Sequence, residues 1–155
     1  MVKAIIFDFD GVILESVNVK TEAFSDIYRQ YGTRIVDKVI EHHSQHGGIS
    51  RFEKFKLYHN EFLGINLTSN ELNKLTNTFS NIVLDKVIAS PYVKGAYEFI
   101  SKNHMKYKYF ISTGTPQDEI NKILIKKKID IFFKGVYGSP EKKESHVKNI
   151  LYNNI

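Results

Sequence analysis

From Pro91 onward the chain alternates helix and strand, and this alternation constrains the fold more than any other feature of it. Helical spacing over about 95–103 leads into the strand "KYKYFIS", residues 106–112. Next come a helix opened by Thr115 with Pro116 at its first position, the strand "GVYGS" at 135–139, and a last helix from about 141. Strands separated by single helices pair in parallel, with the helices packed on the sheet. A further apolar run, residues 2–7, reads as a buried strand at the start of the chain.

Between that strand and Pro91 the rhythm is different, because from about 15 to 89 one helical pattern follows another. Ala23, Phe24, Ile27, Tyr28 and Tyr31 share one helical face that stops at Gly32, and Ile35, Val36, Val39, Ile40 and His43 share the next, up to Gly47 and Gly48. The third and fourth patterns open with capping boxes, Ser50 with Glu53 and Thr68 with Glu71, in which hydroxyl and carboxylate satisfy opposite backbone N–H groups. The expected fold is α/β: a Rossmann-like parallel-sheet core, residues 1–14 and 90–155, carrying an all-helical insertion at 15–89. With 155 residues and 42% apolar content, the chain has material for one such core.

Composition excludes several functions. There is no cysteine, hence no disulfide framework and no thiolate metal site, and a reducing cytoplasm is the expected location. No run approaches the ~20 apolar residues of a membrane span, and the first apolar stretch is too short for a signal-peptide core, so no membrane partner is expected. A net charge of +5 favours anionic partners. Lys126, Lys127 and Lys128 form the only basic run; it lacks interleaved aromatics and sits where a helix ends, so nucleic acid is not expected. His42, His43 and His46 have no acids near them and read as a helix surface rather than a metal cluster.

Open parallel sheets bind ligands at the carboxyl ends of their strands. Each strand end here carries polar chemistry: Asp8 and Asp10 after the first, Ser112, Thr113 and Gly114 after the second, Ser139 with Lys142 and Lys143 after the third. Asp10-Gly11 between apolar residues is also a hairpin signal. A hairpin does not account for Asp8, a carboxylate at the end of an apolar strand that is costly to bury unpaired. An EF-hand fails on spacing, since with Gly11 as the sixth loop residue Ile6 and Val17 would have to be ligands.

With "DFDGV" at 8–12, "FISTGTP" at 110–116 and "GSPEKKE" at 138–144, in this order and with a helical block between the first two, the chain resembles the haloacid dehalogenase superfamily of phosphatases. The resemblance is to the branch with a helical cap inserted after the first motif, which includes phosphoglycolate phosphatase and β-phosphoglucomutase. It implies Mg²⁺-dependent hydrolysis of a small phosphorylated metabolite through an aspartyl phosphate, with phosphomutase as the near variant. Asp8 matches the nucleophile and Asp10 the general acid/base, a second acid that the dehalogenases of the family lack. Two carboxylates beside a phosphate dianion need cations. The family implies Mg²⁺ held by Asp8 and the backbone carbonyl of Asp10. Lys143, or Lys142, matches the neutralising lysine, and Thr113, or Ser112, the hydroxyl that bonds the phosphoryl group. Gly11, Ser112 and Gly114 fall on the substrate side of the core. In the cap, Gly48 allows close approach, and the fork of Arg51 suits a phosphate or carboxylate.

The family's fourth motif, an acidic pair after a fourth strand, has no counterpart after Lys143, where no aspartate occurs. The resemblance places that strand beside the first. Without it, an incomplete core with "AIIFDFD" as an apolar edge open to self-association is expected, together with weak Mg²⁺ binding. A catalytically impaired binding module on the same fold is the alternative function.

Overall fold

The computed structural model describes residues 3–154; Met1, Ile155 and Val2, the start of the expected first strand, lie outside the described residues. Three parallel strands, β1 (Ala4–Phe7), β2 (Lys108–Pro116) and β3 (Gly135–Ser139), lie side by side in that order. The fold is thus the α/β parallel-sheet class that the alternation predicts. β1 runs in register from Ala4 opposite Lys108 to Phe7 opposite Ile111. Among the described residues β1 pairs with β2 alone, so its four residues are half-buried rather than buried, as a central strand would be.

Side chains alternate across a strand, and the two faces of β2 have different company. Tyr109 faces Phe7, Phe99 and Phe133, with ring centroids 5.1–6.3 Å apart. On the opposite face, Ser112 reaches His146 of the last helix.

Among the described residues the helices are α1 (Val17–Tyr28), α2 (Thr33–Gln45), α3 (Arg51–Leu57) extended by a π-helical turn (Tyr58–Phe62), α4 (Ser69–Ala89), α5 (Ala96–Asn103), α6 (Gln117–Lys127) and α7 (Lys143–Asn154). α6 begins one residue later than its sequence predicts, because β2 stays extended through Pro116, which becomes the N-cap. Thr68 and Glu71 form the full reciprocal capping box. Ser50 accepts the Glu53 N–H at 3.3 Å, but the Glu53 carboxylate pairs with Lys142 at 3.5 Å, so only half of the expected box is present there.

α1 to α4 pack around Phe24, whose ring lies 4.5 Å from Phe79, 5.4 Å from Phe55 and 5.7 Å from Tyr58. The two segments joining this helical block to the sheet run antiparallel past each other: Glu15 N–H donates to Pro91 O at 2.9 Å and Val93 N–H to Ile13 O at 3.0 Å. These paired crossings bring the start of α1 back over the end of β1. No helix among the described residues is long and apolar enough to cross a membrane.

Candidate active site

The chain after β1 makes a tight turn in which Ile13 N–H donates to Phe9 O and Gly11 N–H to Leu14 O, each at 2.8 Å. Gly11 has φ +73°, and a Cβ there would meet Val17 at 2.9 Å, so this turn excludes a side chain. Phe9, Ile13 and Leu14 are fully buried and anchor the turn, with Asp8 just before it and Asp10 within it.

Asp8 is the more open acid. Its Oδ1 accepts the Phe9 N–H at 2.7 Å and its Oδ2 pairs with Lys143 Nζ at 2.8 Å, the two side chains being 39% and 33% exposed. Lys142 turns the other way, to Glu53. Of the two lysines, Lys143 is the one that meets Asp8.

Asp10 is enclosed. Its Oδ2 pairs with Lys20 Nζ at 2.5 Å and accepts from the Thr115 hydroxyl at 3.3 Å, while its Oδ1 accepts from Ser16 Oγ at 2.6 Å. Burial alone would raise its pKa; the Lys20 charge and the hydrogen bonds from Lys20, Ser16 and Thr115 outweigh it and hold the carboxyl below the ordinary aspartate value. In this arrangement Asp10 is ionised, a proton acceptor.

The second strand end is shaped by an irregularity. Ser112 lies opposite Tyr137 and Pro116 opposite Ser139, so four steps along β2 match two along β3, and residues 113–115 stand out of the ladder. Gly138 permits this: a Cβ there would lie 2.6 Å from the Thr115 carbonyl and 2.8 Å from the Gln117 backbone. Thr115 thereby reaches Lys20, its hydroxyl accepting from Nζ at 2.7 Å. Thr113 is buried and its hydroxyl accepts the Thr115 N–H at 3.1 Å. Ser112 bonds His146 Nδ1 at 2.9 Å on the far face, away from the acids.

Loop 47–50 closes over this end of the sheet. A Cβ on Gly114 would stand 3.1 Å from the Gly48 carbonyl, and a Cβ on Gly48 3.2 Å from Lys143 Nζ. A groove of about 340 Å³ opens between that loop, Thr113, Gly114 and Lys143. Thr113, Gly114, Gly48 and Lys143 therefore share one groove, and Ser112 is not among its walls.

Arg51 departs from the expectation that it meets substrate. Its side chain is 4% exposed, and its two guanidinium nitrogens donate to Glu119 of α6 at 2.8 and 2.6 Å. Ser80 of α4 joins the pair, and the guanidinium lies 4.5 Å over Phe79. With its fork filled by a carboxylate, Arg51 clasps the helical block to the core and is not presented to a ligand. His43, on the apolar face it shares with Val39, is 5% exposed, while His42 bonds Tyr58 OH at 3.1 Å and His46 is exposed.

Lys20, Ser16 and Lys54 escaped the sequence reading, which placed Thr115 at a helix start and His43 on a helix face without a role at the strand ends. A signal existed for two of them, since Lys20 falls on the same helical face as Ala23 and Phe24, and Lys54 one turn after Arg51 beside buried Phe55. A lysine placed on a buried helix face demands a partner.

Among the described residues no group of three or more His, Asp or Glu side chains could cage a metal. Mg²⁺ needs less than a cage, since one or two carboxylates with waters and substrate phosphate oxygens suffice. The half-open Asp8 carboxylate fits that role; the Asp10 carboxylate, filled by Lys20, Ser16 and Thr115, does not.

A family model described as haloacid dehalogenase-like hydrolase matches residues 5–153. No curated protein matches the chain. Among solved structures, a predicted phosphatase from Clostridium acetobutylicum superposes with a TM-score of 0.74 at 14% identity, over 100% of this chain and 72% of that one. β-Phosphoglucomutase from Clostridium difficile superposes with a TM-score of 0.69 at 22% identity, over 88% of this chain and 61% of that one. A haloacid dehalogenase hydrolase from Bacillus subtilis, bound to magnesium, gives 0.65 at 16% identity, over 99% of this chain and 74% of that one. At these identities the likeness is one of fold.

Proposed function

Because the chain belongs to the haloacid dehalogenase-like hydrolases, we propose that it hydrolyses a small phosphomonoester with Asp8 as nucleophile. One observation carries the reading: the Asp8 carboxylate stands at the end of β1 with one oxygen held by the Phe9 N–H and the other by Lys143. A carboxylate so oriented and charge-balanced is prepared to meet an anion that would otherwise repel it.

A carboxylate oxygen of Asp8 attacks phosphorus, an acyl phosphate forms, and the bond from phosphorus to the ester oxygen breaks. The departing oxygen takes a proton, and in the second step water attacks the acyl phosphate and gives up a proton. Asp10 suits the second transfer directly, because it is ionised. To serve the first it must carry a proton, taken up from solvent before the phosphoryl transfer. Lys143, which pairs with Asp8, and Thr113 line the groove where the phosphoryl oxygens would lie. Mg²⁺, held by Asp8 and the Asp10 carbonyl, would supply further neutralisation of phosphoryl charge.

Phosphate release from a panel of phosphomonoesters tests the reading. Asp8→Asn should abolish it, and beryllofluoride should add to Asp8 and to no other carboxylate. Undiminished release by Asp8→Asn, or an adduct elsewhere, overturns the assignment.

A further inference from the structure

The last helix stands on few supports. Of the described residues of α7 only His146 and Ile150 are buried, and they lie one turn apart on one side of it. α7 nevertheless carries Lys143 in its first turn, the cation that meets Asp8. Both ion pairs at this end of the helix are open to water: Lys143 and Asp8 are partly exposed, and Lys142 and Glu53 are exposed outright. Pairs so solvated contribute little, and holding two long side chains in one geometry costs entropy, so they do not by themselves fix where the helix starts.

His146 supplies what they lack. It lies three residues after Lys143, on the same side of the helix, and its backbone N–H donates to Lys142 O at 3.1 Å within the first turn. Its Nδ1 bonds Ser112 Oγ at 2.9 Å, both side chains being buried, and its ring lies 5.7 Å from that of Tyr137 on β3. Ser112 is the last residue of β2 in register with β3 before the bulge at 113–115, so the bond fastens the helix to the strand at the point where the groove begins. The imidazole Nε2 is buried without a hydrogen bond among the described residues, which leaves Ser112 as the side chain that orients the ring. Burial holds His146 below the ordinary histidine value, so at pH 7 it is neutral and acts through this bond rather than as a charge. The first turn of α7 thus reaches Tyr137 of β3, Ser112 of β2 and Asp8 just past β1.

We propose that His146 is a positioning residue: through its hydrogen bond to Ser112 it seats the first turn of α7 so that Lys143 reaches Asp8. The proposal rests on the phosphomonoester reading above and gives Ser112 a part in it, as the anchor of the lysine-bearing helix rather than a phosphoryl ligand. A hydrogen bond is short-ranged and directional, so its loss frees the helix start to shift, and a misplacement of about 1 Å at a reacting group costs about 10²-fold in rate.

Asparagine and glutamine separate this role from packing. The amide of asparagine falls near the position of histidine Nδ1 and that of glutamine near Nε2, although glutamine is closer to histidine in volume. A water-soluble carbodiimide couples a lysine amine to a carboxylate in contact with it. The yield of the amide between Lys143 and Asp8, read by peptide mass spectrometry, therefore reports their pairing without any turnover. In the full chain His146→Asn should keep both the crosslink and kcat/KM, whereas His146→Gln should lower the yield several-fold and kcat/KM about 10- to 100-fold. Ser112→Ala removes the same bond from the strand side and should match His146→Gln; it serves alone if the histidine variants do not fold. In a Lys143→Met chain the same changes should leave the residual rate as it is. Undiminished crosslinking in folded His146→Gln or Ser112→Ala overturns the proposal, as does a folded asparagine variant no better than the glutamine one. Losses that persist in full in the Lys143→Met chain also overturn it, because His146 would then act on the fold and not through Lys143. A chain whose crosslink follows the expected pattern but which releases no phosphate from phosphomonoesters keeps the seating of Lys143 and loses the phosphatase reading. One that hydrolyses esters equally well in every folded variant does the reverse.

Discussion

At the scale of residues, the site is governed by which cations are paired with which acids. Lys20 sets the protonation of Asp10: without its charge, burial dominates and the carboxyl pKa rises, by about 1–3 pH units for loss of an adjacent opposite charge. Lys20→Met should therefore move the acidic limb of the kcat/KM profile to higher pH, since the basic form of Asp10 is then lost sooner on acidification; an unmoved limb would show that Asp10 is not the titrating group. Lys54 acts on stability with the opposite sign. Its pKa is about 8 when folded and 10.5 as a free side chain, so between those values the unfolded chain binds more protons and stability rises with pH. Relative to Lys54→Met, the wild-type chain should gain up to about 3 kcal/mol across that window, measured by urea unfolding at several pH values. A parallel pair of pH–stability curves would show that the ammonium is not desolvated.

At the scale of elements, α3, α4 and α6 are joined by the Arg51, Ser80 and Glu119 cluster, a fully buried, bidentate pair between the helical block and the core. Breaking one side leaves the other charge buried alone, which costs about 3–5 kcal/mol, whereas replacing both by apolar residues removes both desolvation penalties together. Glu119→Gln should destabilise strongly, and the double change Arg51→Met with Glu119→Leu far less than the sum of the single ones, in a double-mutant cycle followed by denaturant unfolding. Additive losses would mean that the two side chains are not coupled. The paired linkers at 13–15 and 91–93 cross where the helical block joins the core, the Arg51–Glu119 clasp spans the same two parts, and loop 47–50 passes over Gly114.

At the scale of the whole molecule, the sheet leaves β1 with one partner among the described residues, although β1 carries Asp8 at its end. An apolar edge with unpaired backbone groups recruits another strand, so concentration-dependent self-association is expected in sedimentation velocity; a monomer throughout would rule out pairing along β1. Mg²⁺ alone, meeting one available carboxylate, should bind weakly, and more tightly once a phosphonate supplies further oxygens. Titration with and without phosphonopropionate checks this, and equal affinity in the two cases would mean that metal and phosphoryl group do not share a site.

The strand-and-helix alternation, the inserted helical run and the Thr68 cap were all legible in the sequence, because each depends on neighbours within a turn or a pleat. So were the three polar strand ends, since a parallel sheet brings the carboxyl ends of its strands together whatever the details of packing. Tertiary structure alone decided the rest. Lys142 and Lys143 are adjacent in the chain, and only the docking of α7 decides that Lys143 meets Asp8 while Lys142 meets Glu53. Thr113 rather than Ser112 lines the groove because the bulge opposite Gly138 turns the strand end. Arg51 carries the chemistry of an anion receptor, yet a carboxylate 68 residues away in sequence fills its fork, and Lys20 finds Thr115 across 95 residues. Local periodicity says which face of a helix is buried, but the partner a buried charge finds there depends on how distant elements pack, and no short-range pattern carries that information.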